Sequence, residues 1–308
     1  MYRTTVLPNT SQQENSLPAA TPKYTQPTFL MCPPTLFEVD YVINPWMAGN
    51  IHRSQRNRAM EQWIHLYRAI SDVAEVELIE PQPGSPDMVF IAHAGLVLHG
   101  VVTLSSFFHR QRQMEEQHYR RWFLDHGFLV LDSRRETPFE GEGDALFSPE
   151  GKLLWAGHGV RSSDCSHRSL VQNFSVPLES LRLVDPRFYH LDTCFCPLVD
   201  GYLLYFPQAF DTDSLERIGK YYPEENRIAV SEQDAVHFAC NSVNVGHTII
   251  LSEVSDELSG RLEQRGFRVV QVPLSEFLKS GGAAKCLSLR LSDLDVTHAQ
   301  GLIEHRNA

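Results

Sequence analysis

The chain has 308 residues, 42% of them hydrophobic, which is enough to bury a sizeable core, and a formal net charge of −11 from 27 Lys and Arg against 38 Asp and Glu. An acidic balance of this size argues against phosphate-backbone binding and favours a cationic ligand. No apolar run approaches the ~18 residues a membrane-spanning helix needs, and six cysteines without a secretory signal are expected to be reduced thiols in a cytoplasmic protein.

Residues 1–27, dominated by Pro, Ser, Thr and Gln, have the composition of a disordered tail, and a single catalytic domain is expected over residues 28–308. Apolar residues recurring at three- and four-residue intervals predict helices over 55–74, 111–126, 213–222 and 254–265. Short β-branched or Leu-rich runs predict strands over 75–79, 128–131, 201–206, 248–251, 267–272 and 286–291, so the class is α/β. Six segments share one design, a polar residue leading into an apolar strand: Asn44, His93, Glu142, Asp192, Asn241 and Cys286, separated by 49, 49, 50, 49 and 45 positions. A β-hairpin plus a helix thus recurs about every fifty residues, and about five such units, unable to bury their own apolar faces, are expected to close into a ring around a central pocket.

Three stretches carry chemistry. Phe139-Glu140-Gly141-Glu142-Gly143-Asp144 places three carboxylates between glycines directly before an apolar strand, which suits a cation-binding wall, and its spacing is not that of an EF-hand calcium loop. Tyr189-His190-Leu191-Asp192 reads as strand, with His190 and Asp192 on one face and Asp192 free to orient the imidazole or to bind a substrate nitrogen. Ser280-Gly281-Gly282-Ala283-Ala284-Lys285-Cys286 sets a cysteine at the head of a predicted strand after small residues that let a ligand approach, with Lys285 favouring the thiolate. Its glycine-rich approach and Lys285 set Cys286 apart from the other five cysteines, as Asp192 sets His190 apart from a lone histidine. Cys194-x-Cys196 lacks the spacing and the second pair of a zinc site, and neither a metal nor another cofactor is expected.

These stretches, together with Met31-Cys32-Pro33-Pro34 and Val42-Ile43-Asn44-Pro45-Trp46-Met47, resemble in order the guanidino-modifying (pentein) superfamily of arginine deiminases, dimethylarginine dimethylaminohydrolases, arginine dihydrolases and amidinotransferases. The resemblance implies a five-bladed α/β propeller of ββαβ pseudo-repeats and cysteine-dependent hydrolysis of a guanidino C–N bond in arginine or a relative through a covalent amidino adduct. It implies catalytic roles for Cys286, His190, Glu140 and Asp192. Asn44, His93, Asp144, Arg112 and Arg161 match substrate-binding positions, the two arginines as clamps for a substrate carboxylate, and Glu142 is expected to face away. The wording of residues 140–146 and 189–198 is most similar to arginine dihydrolases. His93 departs from the pattern, because relatives carry Asp or Asn there, and an imidazole accepts at most one hydrogen bond from a cation. An amidinotransferase and a non-catalytic regulatory protein of the same fold are the alternative readings. The expected partner is a small guanidino substrate, with no nucleic acid or membrane, and a homo-oligomer is left open.

Overall fold

The structure is a computed structural model, and it describes residues 24–292. Strand β1 (Thr28–Met31) is buried throughout and is followed by α1 (Arg56–Ser71) and β2 (Glu75–Leu78), which runs parallel to β1. Helix α1 turns Ala59, Trp63, Leu66 and Ile70 inward, the three- and four-residue spacing that defines an amphipathic stripe.

Four units of one plan follow: a strand, a tight turn, an antiparallel partner, a helix, and a third strand parallel to the second. They are β3 (Gly95–Leu98), β4 (Val101–Leu104), α2 (Glu115–Asp125) and β5 (Leu129–Leu131); then β6 (Ala145–Phe147), β7 (Leu154–His158), α3 (His167–Phe174) and β8 (Leu178–Arg182). Next come β9 (Phe195–Pro197), β10 (Leu203–Tyr205), α4 (Thr212–Tyr221) and β11 (Arg227–Ala229), a short α5 (Glu232–Val236), and β12 (Val243–Val245), β13 (Thr248–Leu251), α6 (Asp256–Glu263) and β14 (Arg268–Gln271). After α7 (Ser275–Leu278), strand β15 (Leu289–Arg290) pairs antiparallel with β1, matching Phe29 to Arg290 and Leu30 to Leu289. The first sheet is thus built from both ends of the described chain, and the five three-stranded sheets form a five-bladed α/β propeller. The β3–β4 turn needs left-handed backbone at both His99 (φ 50) and Gly100 (φ 74), the geometry that matches strand twist in a two-residue hairpin.

What positions the site is the chain just before each inner strand. Single 3-10 turns at Ile91–Ala94, Gly141–Gly143 and Leu191–Thr193 lead into β3, β6 and β9, and comparable turns lead into β12 and β15. They carry His93, Glu142, Asp192, Asn241 and Cys286, one from each blade. Gly141 holds φ 61 where a Cβ would come within 2.7 Å of the Ala92 carbonyl, so glycine is what lets neighbouring blades close up at the axis. Asn44 is not part of this ring: it caps the turn Pro45–Met47 beyond β1, as Arg112 and Arg161 lie beyond the middle strands β4 and β7.

Several expectations are corrected. Three of the four foreseen helices are shorter at both ends, and the fourth, expected over 213–222, keeps its length one residue earlier at Thr212–Tyr221. The segment 286–291 is strand only at Leu289–Arg290, with Cys286 in the preceding turn. His190 precedes a 3-10 turn and Asp192 lies within it, rather than the two alternating along a strand, so they need not share a face. Helix α3, rich in polar residues, was not foreseen. Of the supposed tail, residues 1–23 lie outside the described residues, whereas Tyr24 is part of the fold, its hydroxyl donating to Glu77 and its ring packing on Phe128. Residues 293–308 also lie outside the described part.

Candidate active site

The axial turns bring His93, Asp192, Asn241 and Cys286 into one buried chamber with the neighbouring His190, while Glu142 turns away from it. Asn241 organises the cysteine: its Oδ1 accepts from the backbone N–H of both Ala283 and Cys286 at 3.0 Å, while its Nδ2 donates to Cys286 Sγ at 3.1 Å and to the Asp192 carbonyl at 3.2 Å. The thiol donates to Asp192 Oδ2 at 3.2 Å. Burial, and then the Asp192 carboxylate, push the Cys286 thiol well above its ordinary value, so in the unliganded site the pair holds its proton on sulfur. Lys285 does not activate the thiol as its position in sequence implied, because its ammonium turns away to pair with Glu142. Burial raises Asp192 to about 6, against the lowering effects of His190 and Lys285.

His190 is fully buried and held by two carboxylates. Its Nδ1 donates to Asp144 Oδ2 at 2.9 Å, and its Nε2 lies 3.2 Å from Glu140 Oε2, close but poorly aligned for a hydrogen bond. Burial opposes the charge on the ring, yet Asp144 and then Glu140 outweigh it and raise the imidazole to about 9, so His190 is an imidazolium at neutral pH. Asp144, not Asp192, therefore orients the histidine. Asp144 is itself fixed by the Ser162 hydroxyl at 2.7 Å and the Leu191 N–H at 3.1 Å. Burial would raise Glu140, but Arg161 and His190 hold its carboxyl far below the usual range; Arg161 Nη1 donates to it at 3.0 Å.

His93 lies close to both reactive groups. Its ring centroid is 4.4 Å from that of His190, and one of its nitrogens, an Asp192 oxygen and Cys286 Sγ all lie within 4.8 Å of one another. Cysteine and histidine, nearly a hundred positions apart in sequence, thus share one chamber. That spacing would admit a metal ion as well as a small polar group; among the described residues the other group so spaced is Glu38, Asp40 and His52, largely exposed. Burial, then His190 and Arg112, hold His93 well below its ordinary value and hence neutral.

A narrow recess lined by Asn44, Asp87, His93, Arg112, Arg161, Tyr189 and Ser280 borders this chamber at His93. Cys286 and His190 are 0% exposed, so a ligand reaches the sulfur only when the lining parts. The lining is held by Tyr189, whose hydroxyl donates to the Gly281 carbonyl at 2.7 Å, and by Asn44, whose Nδ2 donates to the Ser280 carbonyl at 2.9 Å. Arg161 spans the Tyr189 ring at 4.6 Å and donates to the Ile43 carbonyl at 3.0 Å. Arg112 is more heavily committed than a free carboxylate clamp: it donates to Glu115, to the Asp87 carbonyl and to His93. Glu142 and Lys285 face a second cavity, bounded by the inner strands at the other end of the axis. The three carboxylates of residues 140–144 thus hold the protein's own cations, whereas among the described residues Asp192 at the sulfur and Asp87 in the recess make no ion pair.

Sequence reasoning left two residues of this site without a role. Asn241 appeared in the fifty-residue period but carried no obvious chemistry, whereas no sequence signal pointed to Ser162, whose oxygen links Glu140 to Asp144.

The family model of eukaryotic N,N-dimethylarginine dimethylhydrolases matches residues 40–292. The chain belongs to that family. It lies within the pentein superfamily of guanidino-modifying enzymes. A dimethylarginine dimethylaminohydrolase of Mycobacterium tuberculosis is 36% identical over 85% of each chain. A bifunctional arginine dihydrolase/ornithine cyclodeaminase of Nostoc sp. is 53% identical over 90% of this chain, and this chain spans 40% of the length of that relative. Among solved structures, the N-terminal domain of ArgZ, a cyanobacterial arginine dihydrolase, superposes with a TM-score of 0.86 at 54% identity, covering 87% of this chain and 98% of that domain.

Proposed function

We propose that this family member is a cysteine-dependent hydrolase of the terminal C–N bond of arginine or an arginine-like amino acid, acting through a covalent adduct on Cys286. The observation that carries the reading is the buried chamber in which the Asn241-held sulfur and the carboxylate-held His190 imidazolium both lie close to the His93 ring. A planar carbon bearing nitrogens accepts the sulfur as the thiol proton passes to Asp192, the acceptor already bonded to it. His190, charged when substrate arrives, gives its proton to the departing nitrogen and then takes one from the water that resolves the adduct. Asp144 and Glu140 are the groups that keep His190 charged for the first step. Arg161, Asn44 and Arg112, at the mouth, are the groups we assign to the amino-acid end of the substrate, with Arg161 the arginine less committed to the protein itself. The recorded ArgZ structures, one holding substrate and another covalently bound to a reaction intermediate, support this chemistry in a relative.

The test is acid-quenched mass spectrometry of protein mixed with arginine, methylated arginines and citrulline. An adduct mapped to Cys286, together with ammonia or amine release that disappears in Cys286→Ser, is the expected result. Release that persists in Cys286→Ser would overturn the reading.

A further inference from the structure

His93 and Arg112 together fix a proton. Arg112 Nη1 lies 2.6 Å from His93 Nδ1, and a guanidinium has donors only, so Nδ1 must be the acceptor in this contact. Arg112 cannot easily turn away: its Nε and Nη2 are bound to Glu115 at 3.0 and 2.7 Å, Nη2 also reaches the Asp87 carbonyl at 3.1 Å, and the side chain lies over the Phe107 ring. Turning the imidazole over would set a ring carbon against the guanidinium instead. With its lone pair at Nδ1 committed, the neutral ring carries its hydrogen at Nε2. That atom is buried and has no hydrogen-bond partner among the described residues, and the ring lies close to the sulfur, the Asp192 carboxylate and His190.

The chamber therefore presents an N–H donor beside the nucleophile. A guanidinium also has donors at every corner, so N–H would meet N–H and leave a buried donor unpaired. The nearby charges agree with this. Glu140 is paired with Arg161, Glu115 with Arg112, Glu142 with Lys285 and Asp144 with His190; among the described residues the buried carboxylates here without an ion pair are Asp192, which already accepts from the thiol, and Asp87 in the recess, which accepts from the Tyr41 hydroxyl. A neutral group with one acceptor corner and two N–H corners fits better: the acceptor on His93 Nε2–H, the donors toward Asp192.

We propose that this site takes a ureido amino acid, of the citrulline type, in preference to a guanidino one, with His93 as the residue that sets the choice. This rests on the reading of Cys286 as a C–N hydrolase nucleophile and names the group that it attacks. The sulfur forms a bond to the ureido carbon, and the carbonyl electron pair moves onto oxygen, where His93 Nε2–H receives it as an oxyanion. The oxyanion collapses and expels a nitrogen, protonated by His190, leaving a thiocarbamate on Cys286. Water, deprotonated by His190, breaks the C–S bond and returns the thiolate. The carbamic acid released loses carbon dioxide, so one ureido group and one water give the amine, ammonia and carbon dioxide. The product side thus calls for a reaction that consumes a free primary amine on an amino acid.

The test compares L-citrulline with L-arginine at equal concentration, reading ammonia release and the mass of the Cys286 adduct. The expected result is kcat/KM at least about tenfold higher for citrulline in the native protein, with the order reversed in His93→Asn, whose amide oxygen can accept from a guanidinium. A Cys286 adduct with arginine turned over and citrulline inert would overturn the ureido assignment while leaving the hydrolase reading in place. No adduct and no turnover with either would overturn both. Independently of any variant, nitrogen-15 NMR of the imidazoles in the native protein is expected to show His93 as the neutral Nε2–H tautomer, and an Nδ1–H or charged His93 would overturn the argument.

Discussion

Asp144 and Asp192 serve different groups: the sequence pointed to Asp192 as the residue to orient His190, and the structure gives that place to Asp144 by what each oxygen touches. Asp144 holds the imidazole; Asp192 holds the thiol. The two assignments carry opposite pH signs. His190 must be charged to act as the acid, and its value is raised to about 9, so kcat/KM falls as pH rises through about 9. Asp192 must be ionised to receive the thiol proton, and burial places it at about 6, so kcat/KM rises through about 6. A bell-shaped profile between these limits is expected, and a steady-state pH series checks it. In Asp144→Asn the alkaline limb is expected to move down toward the ordinary histidine range, with a loss in kcat on the order of 10²–10⁴-fold. A role confined to folding would lower the amount of active protein without moving that limb. The pairing also links to stability: because the folded His190 value is raised, its contribution is fully present below the ordinary value of 6.5 and is lost as pH rises through about 9. Much of this was legible at the level of residue type, since cysteine, histidine and the carboxylates were all picked out. Which carboxylate serves which group was not, because the 3-10 turn at Leu191–Thr193 breaks the two-residue alternation from which a shared face was inferred.

The element that matters most is the short turn ahead of each inner strand. The fifty-residue period was readable because every unit has to spend a similar length on hairpin, helix and outer strand before returning to the axis. Asn44 entered that period by coincidence of spacing, since ring closure makes Cys286 the fifth axial residue and leaves no sixth blade. The Cys286 turn is packed closely enough for a methyl group to matter. A Cβ at Gly282 would come within 2.6 Å of the Phe90 ring and 3.2 Å of Cys286 Cβ. Gly282→Ala is accordingly expected to displace the turn and to slow adduct formation by about tenfold or more, a change that rapid-quench kinetics resolves. Asn241→Ala removes two acceptor contacts and two donor contacts at once and leaves the backbone N–H of Ala283 and Cys286 buried without a partner. A loss of about 1–3 kcal/mol in unfolding free energy is expected, measured by denaturant titration.

At the scale of the whole molecule, the core is divided among the blades, yet the first blade cannot form until residues far apart in sequence meet. Leu30 and Leu289 are matched across the β1–β15 pair and both are 0% exposed. Leu289→Ala is expected to cost about 2–5 kcal/mol and to lower the denaturant midpoint in one cooperative transition, because opening that sheet also releases the turn that carries the sulfur. The α/β class and the ring could be read from periodicity, and the family resemblance named the same propeller. Closure through a two-residue strand could not, since so brief a run as Leu289–Arg290 has no pattern of its own and is defined only by its partner.

That seam has an engineering consequence. Thr28 N–H donates to Ser292 Oγ at 3.1 Å, and Leu291 N–H to the Thr28 carbonyl at 2.9 Å, so the two ends of the described chain lie side by side on one edge. A short flexible tether could weld them, and the backbone could be cut afresh at the exposed Gly246–His247 hairpin, which touches nothing in the chamber. Such a rearranged gene product should keep its chemistry while carrying its new start and finish on the β12–β14 blade, a convenient place to hang a reporter away from the mouth of the site.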